Sequence, residues 1–235
     1  WAVRQEQVMV PLSFAGEEMT LVQGRALYWP REQALLVADL HLEKASWFAA
    51  RGQMLPPYDS RETLERVALA IRETGARRVY TLGDNFHDLD GAARLEPHAA
   101  GMLAALTRAT EWVWITGNHD EQLGSKVGGT VVDELAVADM ILRHIARPGE
   151  TRAELSGHFH PKLRVTVKGR HLARPCAIIG RFSGGAERMI LPAFGTLTGG
   201  MDAAAPEIRA ALQPAAVIDA VLPAGRKLAQ FPLWR

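Results

Sequence analysis

Three short, mostly apolar runs separated by two stretches with helical spacing constrain the fold of this chain more than any other feature. The runs lie at residues 34–38, 79–82 and 112–115. Runs of this kind are typical of strands covered on both faces of a sheet. Residues 59–75 carry apolar side chains at helical intervals, and a second such stretch runs from Pro97 to about Thr107. Alternating strands and helices in this order predict right-handed crossovers and a parallel sheet.

Further strands are predicted on both sides of this central unit. Residues 1–30 alternate apolar and polar side chains in runs separated by Gly16 and Gly24, which predicts two or three antiparallel strands. After Asp120, short apolar segments recur without clear helices between them, at residues 131–137, 140–142, 153–155, 163–167, 176–179, 189–194, 216–221 and 228–233. We therefore predict one domain over residues 1–235, with an α/β fold built as a two-sheet sandwich flanked by helices.

The connection after the first apolar run is long for a loop, and long loops are usually functional or disordered. It carries Trp47, Phe48 and Tyr58, which either stack on the bases of a nucleic acid or form a hydrophobic plug that closes the loop. Asp59 followed by Glu62 is the pattern of a capping box, which predicts the start of the first helix.

Each apolar run of the central unit ends in side chains that bind metals or move protons. The first run is followed by Asp39 and His41, the second by Asp84, and the third by Asn118. Because the carboxyl ends of parallel strands lie at one edge of the sheet, these side chains are expected to meet there.

Three histidines further along the chain extend this set. His144 follows an apolar segment, and His158 and His160 lie two residues apart. On an extended backbone both members of such a pair point to the same side, as would Asp39 and His41. Taken alone, His144 also fits a structural histidine and Asp39 a capping residue. Taken jointly, the arrangement favours a metal site, because histidine is the commonest side-chain ligand of transition metals.

The carboxylates suggest what such a metal site does. A carboxylate can bridge two cations, and Asp84 is the natural bridge because it is the lone acid directly at its strand end. Two cations about 3.5–4 Å apart neutralise the oxygens of a phosphate ester and lower the pKa of a bound water. The residues therefore predict phosphoester hydrolysis.

The order Asp-x-His, Gly-Asp, Gly-Asn-His-Asp, His and Gly-His-x-His over residues 39–160 resembles the calcineurin-like metallophosphoesterases. The resemblance implies two divalent transition-metal ions, held by ligand groups that share one aspartate: Asp39, His41, Asp84 and His160 for one ion, and Asp84, Asn118, His144 and His158 for the other. It also implies that His119 protonates the leaving oxygen or steadies the phosphoryl charge. The family often has a glycine after the residue that matches His144, whereas this chain has Ile145.

Residues 39–44, 50–59 and 191–200 carry a closer resemblance, to the PdeM family of ligase-associated DNA-damage-response endonucleases or phosphoesterases. This resemblance implies manganese as the preferred ion, DNA as the substrate, and DNA-repair proteins of a ligase-associated system as partners. His87 matches a motif of nucleases in the same superfamily, which implies that it orients His119 or touches the scissile phosphate. A supporting or surface histidine is the alternative.

The strand predicted after His160 has a basic face that is a candidate for substrate binding. Lys162, Arg164 and Lys168 alternate with apolar residues, and Arg174 is expected to extend this face beyond the next turn. Such a face can hold a nucleic-acid backbone. A solvated strand face is the alternative.

Composition limits the cellular setting and the partners. Hydrophobic residues make up 48% of the chain, but no apolar run approaches the roughly 20 residues that a membrane span needs. Cys176 is the only cysteine, which excludes an intrachain disulfide and fits a reducing compartment. The net charge of +1 means that any nucleic-acid surface must be local. No signal peptide is visible, so we expect a cytoplasmic protein without a membrane partner.

These observations predict a metal-dependent phosphodiesterase or endonuclease that hydrolyses DNA in DNA repair. A phosphatase, or a small-molecule or cyclic-nucleotide phosphodiesterase, would use the same metals. A non-catalytic protein-binding scaffold of the same fold would be expected to lose His119 or some of the ligands, and this chain has lost none of them.

Overall fold

The first of two large sheets carries the central unit predicted from the sequence. In the computed structural model, which describes residues 8–119, 127–167 and 169–235, this sheet has seven strands in the order β1-β2-β3-β4-β5-β6-β7. The strands are β1 Met9–Phe14, β2 Glu17–Val22, β3 Ala26–Trp29, β4 Ala34–Val37, β5 Arg78–Leu82, β6 Glu111–Ile115 and β7 Thr130–Val132. The first four pair antiparallel and β4 to β7 pair parallel, which confirms the predicted parallel unit.

The second sheet follows in the chain, together with a separate two-stranded hairpin. These strands are β8 Glu134–Val137, β9 Met140–Arg143, β10 Ala153–Ser156, β11 Lys162–Val167, β12 Arg170–Pro175, β13 Ala177–Arg181, β14 Glu187–Ile190, β15 Val217–Ala224 and β16 Lys227–Trp234. The second sheet has the order β16-β15-β13-β14-β10-β9-β8, and β11 and β12 form a separate two-stranded sheet.

Five helices in the described residues flank the sheets: α1 Lys44–Ala49, α2 Asp59–Thr74, α3 Gly91–Arg94, α4 Pro97–Ala109 and α5 Pro206–Ala211. Helix α2 ends where Gly75 adopts the left-handed conformation (φ 68°), as its position after the helical pattern predicts. Within the described part of the chain, no helix is both long and apolar enough to cross a membrane.

Three apolar clusters hold these layers together. Side chains from both sheets, such as Phe14, Leu36 and Leu155, form the layer between them. A second cluster packs α2 and α4 against the outer face of the first sheet, and a third packs α5 against the second sheet. The expected α/β sandwich flanked by helices is confirmed.

Several local predictions are wrong. Residues 131–137 are not one strand, because the chain leaves the first sheet after Val132 and enters the second at Glu134. The long loop after His41 contains α1. The expected capping box is absent, because Tyr58 is the N-cap of α2 and the Asp59 carboxylate instead accepts a hydrogen bond from the Ala45 N–H (3.0 Å). Strand β12 and helices α3 and α5 were not anticipated.

Candidate metal centre

The segments after β4 and β5 are joined by backbone hydrogen bonds at the carboxyl edge of the first sheet. The Asp39 N–H donates to the carbonyl of Gly83 (3.2 Å), and the His41 N–H donates to the carbonyl of Asp84 (2.9 Å). These bonds continue the pairing of two parallel strands into their loops. The predicted meeting of polar side chains at this edge therefore follows from the sheet.

The prediction for the residue pairs assumed an extended backbone. The backbone at the site is not extended. Five of the seven predicted ligands have a positive φ: Asp39 (53°), His41 (46°), Asp84 (47°), His158 (75°) and His160 (47°). Left-handed backbone is uncommon outside glycine, and it concentrates at functional sites where surrounding contacts enforce it. The members of each pair reach the site through this twisted backbone and not through strand alternation.

One group of side chains that can hold a divalent metal ion contains Asp39, His41, Asp84 and His160. The Nε2 atoms of His41 and His160 lie 3.2 Å apart. His160 Nε2 is 3.5 Å from Asp39 Oδ1, and His41 Nε2 is 3.7 Å from Asp84 Oδ2. Four side chains from three separate segments thus converge on one small volume.

A second group contains Asp84, His144 and His158. His144 Nε2 lies 3.4 Å from Asp84 Oδ1 and 3.2 Å from His158 Nδ1. The Nδ1 atom of His144 lies 3.0 Å from the carbonyl oxygen of Leu82. Because a carbonyl oxygen only accepts, Nδ1 is the donor of this hydrogen bond, and Nε2 is the ring nitrogen that faces the group. His144 thus has the orientation of a ligand, although Ile145 departs from the family pattern.

Asp84 lies at the junction of the two groups. Its Oδ2 atom faces His41 in the first group, whereas its Oδ1 atom faces His144 in the second. The backbone N–H of His119 also donates to Oδ1 (3.3 Å). One buried carboxylate therefore belongs to both groups, as expected for a bridging ligand.

Two glycines explain why the predicted ligands can approach one another so closely. A Cβ atom on Gly117 would lie 2.1 Å from the backbone nitrogen of Asp84 and 2.4 Å from its Oδ1. A Cβ atom on Gly83 would lie 2.2 Å from Nδ1 of His144. Any larger residue at either position would displace a neighbouring candidate ligand. The glycines in the Gly-Asp and Gly-Asn-His motifs are thus required by packing.

Burial disfavours the charged form of two of the clustered histidines, His41 and His158. It lowers the pKa of His41 to about 2, with smaller contributions from the neighbouring His160 and Lys44. Burial also lowers the pKa of His158, and His144 adds to this effect. Neutral imidazoles offer lone pairs to a metal ion, so these rings are ready to ligate at neutral pH.

The distances within the two groups fit metal coordination. Two ligand atoms that each lie about 2.0–2.2 Å from one ion are about 3.0–3.5 Å apart in tetrahedral or octahedral geometry. Within each group, the closest candidate ligand atoms are 3.2 or 3.4 Å apart, which falls in this range. Imidazole nitrogens facing carboxylate oxygens suit divalent transition metals such as manganese, iron, cobalt or zinc.

A solved structure closely resembles this chain over nearly its whole length. The crystal structure of the nuclease MPE from Pseudomonas putida is 30% identical in sequence, with a TM-score of 0.69, and the match covers 96% of this chain and all of that one. The chain belongs to the calcineurin-like metallophosphoesterases. Together with the two Asp/His groups, this membership makes it a metal-dependent phosphoesterase.

Other comparisons are weaker. The phosphoesterase YfcE from Escherichia coli is 14% identical, with a TM-score of 0.44 and coverage of 85% of this chain and 98% of that one, which is too distant to support an argument. No protein-family model matches the chain, and no curated protein matches it.

His119 of this metallophosphoesterase lies directly beside Asp84, which both groups share. His119 Nε2 is 3.9 Å from Asp84 Oδ2, and 47% of the His119 side chain is exposed. This placement leaves the imidazole accessible to a substrate. Asn118 is also exposed, and its role as a ligand stays a prediction.

His87 packs in a group of aromatic rings next to the candidate ligands. Its ring stacks on that of His119, with centroids 5.6 Å apart and planes 20° apart, and on that of Phe48, at 6.0 Å and 20°. Trp47 contacts the His87 ring edge-on at 4.9 Å. Of the predicted loop aromatics, Trp47 and Phe48 therefore pack against the site, whereas Tyr58 is 65% exposed.

Burial lowers the pKa of His87 to about 4, and the charge of Lys44 is the second cause. Lys44 was not among the predicted site residues, although its charge also lowers the pKa of His41. Lys44 closes the 39–44 segment that resembles the PdeM family, and this was the sequence signal that could have identified it.

The predicted basic face is smaller than expected. Arg164 is exposed and lies 3.5 Å from Asp202, whereas the Lys162 ammonium donates to the carbonyl of Thr198 (3.4 Å). Arg174 pairs directly with Leu163, and directly opposed residues point to the same face of a hairpin. Arg174 thus lies on the face opposite Arg164, and the expected extension is wrong. Lys168 lies outside the described residues.

Proposed function

We propose that this metallophosphoesterase hydrolyses DNA phosphodiester bonds with two divalent ions that share Asp84. In this proposal one ion takes Asp39, His41, Asp84 and His160, and the other takes Asp84, Asn118, His144 and His158. The observation that carries the proposal is the orientation of Asp84, whose two carboxylate oxygens face histidines of different groups. Manganese is the proposed ion, and other divalent transition metals fit the same donors.

The bound ions supply electrostatic stabilisation to the phosphoryl oxygens and lower the pKa of the attacking water. The water oxygen forms a bond to phosphorus, the phosphorus–oxygen bond to the leaving group breaks, and the water releases a proton to solvent. His119 donates a proton from its imidazole to the leaving oxygen. Its exposed side chain beside Asp84 can contact a substrate phosphate from the solvent side.

Three observations support DNA as the substrate. The nuclease MPE from Pseudomonas putida is similar over nearly the whole chain. Arg164 and Thr166 are exposed on one face of the β11–β12 hairpin, and this hairpin follows directly after His160. We further propose a role in DNA repair within a ligase-associated system and a cytoplasmic location, and the buried free Cys176 fits a reducing compartment.

The hairpin allows a matched test of DNA binding. Arg164→Glu and Arg174→Glu make the same charge change on opposite faces. If the Arg164 face tracks the phosphate backbone, Arg164→Glu weakens DNA binding and reduces the slope of log K against log salt by about one unit. Arg174→Glu should leave this slope unchanged. Equal effects of the two variants on DNA binding would show that the hairpin affects binding only through the net charge of the protein.

Substrate size is tested by comparing the hydrolysis of plasmid DNA, a short single-stranded oligonucleotide and a chromogenic phosphodiester in the presence of manganese. We expect cleavage of DNA, and we expect Arg164→Glu to reduce it while chromogenic hydrolysis stays near the wild-type rate. Cleavage of the chromogenic diester alone, with both DNA substrates intact, would contradict the DNA proposal and favour a small-molecule phosphodiesterase.

A further inference from the structure

Helix α1 carries two aromatic side chains that contact His87. The Phe48 ring is nearly parallel to the His87 ring, and the His87 ring is nearly parallel to that of His119. Trp47 contacts both Phe48 (5.0 Å) and His87 (4.9 Å), each time edge-on. His87 is therefore packed against α1 on one side and contacts His119 as well.

Helix α1 is itself fixed by polar contacts. Its first turn is attached to α2, because the Glu43 N–H donates to Ser60 Oγ (2.8 Å) and the Ala45 N–H donates to Asp59 Oδ2 (3.0 Å). On another side, Arg94 Nε donates to Ser46 Oγ (3.1 Å). Contacts from two separate elements thus give α1 a fixed position from which its aromatic side chains can support His87.

The same arrangement ties His87 to the metal-binding segments. The His87 N–H donates to the carbonyl of Leu42 (2.9 Å), one residue after His41. The His87 ring also contacts the ring of His41, with centroids 5.7 Å apart. His87 is therefore held by its backbone and by several rings.

His119 depends on such support more than Asp84 does. Its side chain is 47% exposed, whereas that of Asp84 beside it is 5% exposed. An exposed side chain populates several rotamers, and ordering it costs conformational entropy. The stacked His87 ring restricts the plane that the His119 imidazole can adopt.

We propose that Phe48 and Trp47 are positioning residues that hold His119 in its proton-donating orientation through His87. The inference rests on the proposed role of His119 as the proton donor. A proton donor matters most when the leaving oxygen is basic, as in DNA, and least when it is a nitrophenolate. Loss of the aromatic support should therefore affect DNA cleavage much more than hydrolysis of bis-nitrophenyl phosphate.

The test is a double-mutant cycle between Phe48→Ala and His119→Ala in the full chain. Misplacement of a catalytic group by about 1 Å can cost roughly 10²-fold in rate, so we expect Phe48→Ala to lower kcat on DNA about 10-fold to 100-fold. KM, metal content and hydrolysis of bis-nitrophenyl phosphate should stay near wild type. In the His119→Ala background, Phe48→Ala should cause no further loss on DNA.

Three further variants separate positioning from folding. Phe48→Tyr keeps the ring and should retain the wild-type rate, whereas Phe48→Leu keeps apolar bulk without a ring and should show the loss even if Phe48→Ala fails to fold. Phe231→Ala is the matched control, since Phe231 is 39% exposed on β16 and has no place in the site. It should leave the rate on DNA unchanged.

The outcomes distinguish the inference from the proposed function. Phe48→Leu or Phe48→Ala could lower the rate of DNA cleavage by the same factor in the wild-type and the His119→Ala backgrounds. In that case Phe48 does not act through His119, and the inference is overturned. If His119→Ala itself loses no more activity on DNA than on the nitrophenyl ester, His119 is not the proton donor, and both the proposed role and the inference fail.

Discussion

Gly117→Ala tests whether close packing between motif residues determines the geometry of the metal centre. A Cβ atom at this position would lie 2.1 Å from the backbone nitrogen of Asp84, whereas real Cβ atoms stay at least 3.0 Å from such neighbours. In a close-packed interior, Asp84 must therefore move by about 1 Å. Overpacking of this kind costs about 1–3 kcal/mol of stability. Because Asp84 belongs to both ligand groups, the same shift should weaken both sites.

Gly101→Ala is the matched control for this prediction. Gly101 lies within α4, and a Cβ atom there meets no heavy atom within 4 Å. Alanine is favoured over glycine inside a helix by roughly 0.5–1 kcal/mol, so this variant should be slightly stabilised. Thermal unfolding of the metal-free proteins and calorimetric manganese titration measure the two effects. Wild-type manganese affinity in Gly117→Ala would refute the packing argument.

Two further predictions concern individual histidines. His119→Ala should retain its metal ions and lose about 10²–10⁴ in kcat on DNA, and a near-normal steady-state rate would remove His119 from the reaction. Stability of the metal-free protein should fall as the pH drops from about 6.5 toward 4, because the folded-state pKa of His87 is about 4 and the unfolded chain therefore binds more protons in this range. Urea unfolding across this window should show a shallower pH dependence for His87→Phe than for the wild type, and identical slopes would contradict the assigned shift.

The residues of the candidate site were readable from the sequence, but their backbone geometry was not. Asp39 and His41 were expected to align by strand alternation, yet both have left-handed backbone beyond the end of β4. Asp84, two residues beyond the end of β5, also has left-handed backbone. Spacing identifies side chains that can meet, whereas loop contacts between distant segments determine the dihedral angles. The structure therefore brings Asp39, His41 and Asp84 together, although the reasoning from extended backbone was wrong.

Short elements held by tertiary contacts were also missed. Helix α1 has only six residues and no side-chain cap, so its sequence carries little helical signal. Hydrogen bonds from Ser60 and Asp59, which lie on α2, hold the segment that enters it. The passage of the chain from the first sheet to the second at Asp133 could not be predicted for a related reason. Apolar periodicity continues on both sides of Asp133, and no local sequence feature indicates that the partner strands change.

The metal content of the wild type and of Asp84→Ala tests the central claim most directly. Both proteins would be loaded with manganese, freed of excess ion by gel filtration, and measured by elemental analysis per mole of chain. The proposal predicts about two ions per wild-type chain, and it predicts that Asp84→Ala loses most of both, because this carboxylate faces both groups. One ion per wild-type chain, or an unchanged content in Asp84→Ala, would contradict a shared two-metal centre.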